Sequence, residues 1–128
     1  MSLEFIVIDL ARILDESAQG RAAARELAGL WQSGEADVRA MIRAAEAQQG
    51  ESRDAGFREA AAAEQSLNNR VDAARRDARE ALLDRARPII ASLAAERQAR
   101  VVLDADAVLA CPSEFELTDR VIELLDQS

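Results

Sequence analysis

Any chemistry on this chain must come from carboxylates, guanidinium groups or one thiol, because its 128 residues include no His, no Lys and no Tyr. The usual general acid–base inventory shrinks to Asp and Glu. Asp104 and Asp106 are the most suggestive pair. Two acids two residues apart can share a hard cation, yet no further ligands follow at the spacing of a calcium loop. Asp also stabilises turns through its own backbone, and that reading outweighs a metal site. Cys111 has no imidazole to activate it. As the one cysteine, it excludes an intrachain disulfide. No glycine-rich phosphate loop or zinc spacing is present. The expectation is a non-enzymatic chain with no catalytic residue, metal ligand or cofactor.

Two other sets of residues could bind something. Arg75, Arg76 and Arg79, with Arg70, Arg85 and Arg87 nearby, form one locally basic stretch. They could meet phosphates or an acidic chain. Asp72, Asp77, Glu80 and Asp84 are interleaved with them, and pairs such as Asp72–Arg76 are worth only ~0.3–0.5 kcal/mol each. A solvated helix face is the stronger reading. The apolar set is Trp31, Met41, Ile42, Phe57, Leu67 and Val71. Scattered apolar groups among charges can hold an unfolded chain by many weak contacts. The same residues could instead form a seam between helices, which is their commoner home. Trp31 and Val38 fit the seam best, and Ile42 and Phe57 are the more exposed candidates.

These side chains need long helices to carry them. Between two β-like runs, Phe5–Leu10 and Arg100–Asp104, lie almost ninety residues rich in Ala, Arg, Glu and Gln, all compatible with helix. Strands at both ends require the helical segment to double back. Leu27, Trp31, Gly34, Val38, Met41, Ala45 and Gln48 fall at alternating spacings of four and three, a heptad seam. Gly50 to Gly56 interrupts it and reads as the hairpin tip. A return helix from about Phe57 places Phe57, Ala60, Glu64, Leu67, Val71, Ala74 and Ala78 on the facing seam. Pro88 should kink that helix near Asp84. After the strand Arg100–Leu103, Asp104-Ala105-Asp106 makes a turn and Ala107–Cys111 reads as a third strand. Asp9 is placed to cap a short helix and Ser17 a long one, with Ser113 or Thr118 capping a last amphipathic helix.

The fold class is therefore α+β and predominantly helical. Residues 1–20 and 98–128 form a small β body, and 21–97 a helical-hairpin arm. With 28 Ala, three Phe and one Trp, a thick core is not available. Residues 21–97 hold 13 Arg and 13 acids, so the net charge of −8 lies in the end segments. Such a surface does not suit nucleic acid. A body of about fifty residues with open strand edges rarely stands alone. A homo-oligomer joined through Phe5, Val7, Val101, Leu103 and Val108 is the natural solution. No apolar run reaches the length of a membrane span. Met1-Ser2-Leu3 leads straight to the first strand with no leader pattern, which fits a cytoplasmic chain or a processed one.

The segments Val101-Val102-Leu103-Asp104-Ala105-Asp106-Ala107-Val108-Leu109 and Glu116-Leu117-Thr118-Asp119-Arg120-Val121-Ile122 resemble the C-terminal ending of the Skp (OmpH-like) family of periplasmic chaperones. Phe5–Leu14 resembles its opening strand and short helix. Together these cover about a third of the chain, and the arms match in composition and length. The resemblance implies a trimer in which strands of three subunits form a central body. Helical hairpins hang from it around a cavity that holds unfolded outer-membrane proteins without ATP, in the periplasm. The best-known members have basic arms suited to acidic clients and lipopolysaccharide. The arms here are neutral and somewhat shorter, so lipopolysaccharide or membrane contact stays open. Two rival readings also stand: an adaptor whose coiled-coil arm docks a specific folded partner, and a cytoplasmic prefoldin-like holdase, disfavoured because the strands bracket the hairpin.

Overall fold

A computed structural model describes residues 5–128. It is predominantly helical, with one small parallel sheet. The elements are strand β1 (Phe5–Ile8), helices α1 (Leu10–Glu16), α2 (Ala18–Glu46) and α3 (Gly50–Glu96), strand β2 (Val101–Asp104) and helix α4 (Thr118–Gln127). Residues 1–4, which the sequence reading placed in the β body, lie outside the described residues. The chain divides into two compact units. One takes in the described residues through Ala23 together with Ala78–Ser128; the other is Ala24–Asp77. Both long helices contribute to both units.

In the first unit, β1 and β2 pair in parallel, with Phe5 opposite Val101 and Ile8 opposite Asp104. Parallel strands cannot be joined by a tight turn. Here the whole helical hairpin is the connection. Ile6, Val7 and Ile8 are all buried, so β1 is covered on both faces, as expected of a non-alternating apolar run. On its other side Leu117 N–H donates to the Val7 carbonyl at 3.1 Å, and the Asp9 N–H donates to Thr118 Oγ1 at 2.8 Å. The core gathers Ile6, Ile8 and Ile13 with Leu82, Ala86 and Leu93 of α3 and Val121 and Leu125 of α4.

Local caps set the helix starts. The Asp9 carboxylate accepts from Arg12 N–H at 3.2 Å. Ser17, fully buried, accepts from Gly20 N–H through Oγ at 3.0 Å, which starts α2. Neither Ser113 nor Thr118 caps α4. Thr118 is the first residue of the helix, not the one before it, and its N–H donates to the Glu116 carboxylate at 2.8 Å. α4 is then pinned at its far end. The Asp126 carboxylate accepts from Ala18 N–H at 2.9 Å, and Arg85 donates to the Leu125 carbonyl at 3.2 Å. α3 runs on past Pro88 and closes with Gln98 at φ 54°. Ala99 N–H there donates back to the Ala94 carbonyl at 2.8 Å, a left-handed cap usually given to Gly.

Two expectations are corrected. Ala107–Cys111 is not a strand. Asp104 accepts from Asp106 N–H at 3.2 Å and turns the chain into a 3₁₀ turn, Ala105–Ala107. The residues that follow are irregular up to a second such turn, Ser113–Phe115. Pro112, lacking an N–H, cannot donate to a ladder there. The hairpin turn also falls earlier than Gly50–Gly56. It occupies residues 47–49, between the ends of α2 and α3, and Gly50 supplies the positive φ of 63° at the start of α3. Gly56 is inside the helix for a packing reason given below. Helices of 29 and 47 residues span roughly 44 and 71 Å at 1.5 Å per residue.

Candidate binding surface

The second unit is the antiparallel pairing of α2 and α3 over Ala24–Asp77. Its seam is made of small residues set against larger ones. A Cβ on Gly34 would collide with Leu67 Cδ1, and a Cβ on Gly56 would meet Ala45 Cβ at 2.7 Å. Both glycines therefore mark points where the helices approach closely. Val38, Ala45, Ala60, Leu67 and Val71 are buried along this line. The seam positions Glu64 and Gln48 are exposed, which avoids burying an unpaired polar group.

That geometry sorts the apolar candidates. Leu67 and Val71 are only 3% and 6% exposed, so they serve the seam and offer little surface of their own. Trp31, Met41, Ile42 and Phe57 are half-buried, each with apolar surface facing solvent. Arg53 lies over the Phe57 ring at 5.3 Å, a cation–π contact. Trp31 stands between two grooves. One, of about 500 Å³, has Leu27, Ala28 and Val71 in its walls and Asp72 and Arg75 at its edge. The other, of about 390 Å³, has Val38, Ile42 and Leu67, with Glu35, Arg39 and Glu64. The spacing Ala24, Ala28, Trp31, Glu35, Val38, Ile42 puts both along one stripe of α2.

The arginines are arranged differently from the expected i,i+4 pairs. Asp72 pairs with Arg75 at 3.3 Å, one position short of Arg76, and Asp84 pairs with Arg87. Arg76 and Arg79 are exposed and make no ion pair among the described residues. Arg79 belongs to the first unit, so the three do not form one patch on the hairpin unit. Arg85, expected on the same basic face, is instead engaged with Gln19, Leu125 and Ser128.

The residues assigned to self-association also separate. Val7 is 2% exposed and belongs to the core of its own chain, which removes it from any contact between copies. Phe5 is half-buried and stacks on Phe115 with ring centroids 4.7 Å apart. Val101 is 50% exposed, and Leu103 and Val108 are half-buried. Sequence reasoning missed Val102, 43% exposed, and Leu109, which is fully exposed. Both lie in apolar runs without polar alternation, a signal that was available. β2 has β1 on one side and no strand on the other among the described residues.

The ionisable groups serve the fold. Arg12 is bound by Glu16 at 2.6 Å, by Asp119 and by Glu116 at 3.5 Å, tying α1 to the start of α4. The hydrogen bonds that Arg12 donates to Glu16 and then to Asp119 hold its pKa above the ordinary value. Asp104 and Asp106 form the turn described above, and among the described residues no group of three acidic or thiol side chains could hold a metal ion. Cys111 is half-buried. Among the described residues no helix is long and apolar enough to cross a membrane.

The fold is similar to the crystal structure of a candidate outer membrane chaperone (OmpH-like) from Caulobacter crescentus CB15. The TM-score is 0.72 at 16% identity, covering 99% of this chain and 86% of that one. No curated protein matches the sequence. Residues 4–125 match the family described as Outer membrane protein (OmpH-like), a span that takes in both strands, all four helices except the last residues of α4, and the apolar surface around Trp31. The chain belongs to the OmpH-like family.

Proposed function

We propose that this protein is an ATP-independent holdase that keeps unfolded outer-membrane proteins from aggregating in the periplasm. The observation that carries the reading is the half-buried apolar set Trp31, Met41, Ile42 and Phe57 on a hairpin whose seam is closed by other residues. The seam does not need their outer surfaces, which stay available for many weak contacts. Multiplied over copies of the chain, such contacts raise the effective concentration of binding groups around a client. A homotrimer joined through the open edge of β2 supplies those copies. Val101, Val102 and Leu109 support it, because exposed aliphatic side chains beside an unpaired strand edge favour further pairing.

The test uses the full-length chain and a urea-unfolded outer-membrane protein diluted into buffer, with light scattering as the readout. The wild-type chain should suppress aggregation at stoichiometric amounts. A triple variant, Met41→Ser, Ile42→Ser and Phe57→Ser, leaves Val38, Leu67 and Val71 in place. It should lose most of the protection while keeping its mass and circular dichroism. Equal protection by both forms would refute the hairpin mechanism, and a monomeric mass by multi-angle scattering would refute the trimer.

A further inference from the structure

We infer that the two grooves flanking Trp31 take an extended, uncharged stretch of client with apolar side chains on alternate positions, and that they discriminate against acidic stretches. This rests on the holdase reading and adds which kind of segment is gripped. Three observations lead to it. Firstly, the edge charges are mostly spent on each other. Asp72 pairs with Arg75 at 3.3 Å beside the first groove, and Glu35 with Arg39 at 3.5 Å beside the second. A charged client would have to compete with these pairs, gaining little in an exposed setting. Secondly, the one lining carboxylate without an ion-pair partner among the described residues is Glu64. Its field repels acidic segments and offers an acidic client nothing. Thirdly, the spacing suits a strand. The α2 walls of the two grooves are centred about nine or ten residues apart, roughly 14 Å along the helix. In an extended chain at about 3.4 Å per residue, side chains i and i+4 lie on one face at nearly that separation. Trp31, shared by both grooves, would lie against the side chain between them at i+2.

Trp31 is the chain's one tryptophan, and there is no tyrosine, so its emission reports on this site alone. The probes are three dye-labelled decapeptides free of Trp. Each alternates Leu with Ser, Leu with Glu, or Leu with Arg. Binding to the full-length protein is followed by anisotropy, and binding of unlabelled versions by Trp31 emission. The Leu/Ser peptide should shift the emission, and its affinity should change less than about twofold between 50 and 500 mM NaCl, since no net charge is involved. The Leu/Glu peptide should bind at least about threefold more weakly at low salt. Trp31→Ala should weaken the Leu/Ser peptide about fivefold or more, and Trp31→Phe should hold it within about twofold.

Binding of the acidic or the basic peptide at least as tight as that of the Leu/Ser peptide at low salt, or loss of Leu/Ser binding with salt, overturns the inference. So does no binding of the Leu/Ser peptide, or binding that Trp31→Ala leaves unchanged. An emission shift that follows protein concentration without peptide would assign the grooves to a second copy of the chain and overturn it equally. In all these cases the aggregation assay stands separately. Intact protection with failed peptide results rejects the grooves, whereas absent protection rejects the holdase reading itself.

Discussion

Gly56→Ala should destabilise the hairpin relative to the same substitution at Gly29, and the difference between them measures how closely the two helices approach. Both glycines are interior to a helix, where Ala is favoured over Gly by about 1 kcal/mol. A Cβ at Gly29 meets nothing within 4 Å, so Gly29→Ala should gain that amount. A Cβ at Gly56 would stand 2.7 Å from Ala45 Cβ and 3.2 Å from Ala45 Cα. Neither atom can swing away as the end of a long side chain can. The helices must separate by several tenths of an ångström along a seam where Ala45 and Ala60 are 3% exposed. Overpacking of this kind costs about 1–3 kcal/mol, so Gly56→Ala should come out between roughly neutral and 2 kcal/mol destabilising. Subtracting the Gly29→Ala value removes the propensity shared by both and leaves the clash, about 1–3 kcal/mol. Urea unfolding by circular dichroism at one fixed protomer concentration gives both values, the concentration being held because association would shift the midpoint. Hydrogen exchange of the amides around Ala45 and Gly56 reads the same energy locally. A difference below about 0.5 kcal/mol would mean that Gly56 does not sit against Ala45, and the seam as described would be wrong.

The remaining expectations concern the helix ends. Gly50→Ala should cost about 1–2 kcal/mol because Gly50 has a φ of 63°, while Gly50→Asn should cost less than half as much; equal values in urea titrations would count against a left-handed residue there. Ser17→Ala removes the buried hydroxyl that accepts from Gly20 N–H and should lower stability by about 1 kcal/mol, with faster exchange of the Gly20 amide as the local sign. Gln98→Gly should raise the thermal midpoint, relieving up to about 1 kcal/mol at the left-handed end of α3; a lowered midpoint would contradict that cap.

The parts of the fold that were legible are those in which composition has one physical meaning. Phe5–Ile8 and Val101–Asp104 are short runs rich in β-branched residues and flanked by helix formers, a contrast that favours strands. Asp9 and Ser17 stand just before apolar periodic segments and cap as expected. The errors fall where one residue type has two uses. Gly50 and Gly56 look alike in sequence, yet one turns the chain and the other admits a neighbouring helix. Ala107–Cys111 is apolar enough for a strand, but the Asp104 carboxylate redirects the backbone before a ladder can begin. Among the binding candidates, heptad spacing alone does not separate Leu67 from Ile42. Leu67 is buried because Gly34 faces it across the seam, a pairing between residues far apart in sequence that only the folded register reveals.

The charge distribution connects the two units to the proposed function. By the observed boundaries, Ala24–Asp77 holds eight Arg and ten acids, so the remaining residues carry six of the eight net negative charges. If copies meet through the first unit, that excess must be kept off the contact, since like charges brought together with little water between them are costly. One face of the β1–β2 pair meets this requirement: the apolar residues of its cleft are Phe5, Val101 and Leu103, and the one charged side chain there is Arg100. The acids of α4, Asp119, Glu123 and Asp126, are instead exposed or engaged with Arg12, Arg120 and Ala18. The first unit's charge would thus leave one apolar face free for contact between copies and make its remaining surface unwelcoming to acidic chains. The hairpin unit, close to neutral, can gather with its copies around a client without mounting repulsion. Under the proposed function, a hairpin unit this close to neutral exerts little long-range pull on acidic clients, and selection would rest on short-range apolar contact around Trp31.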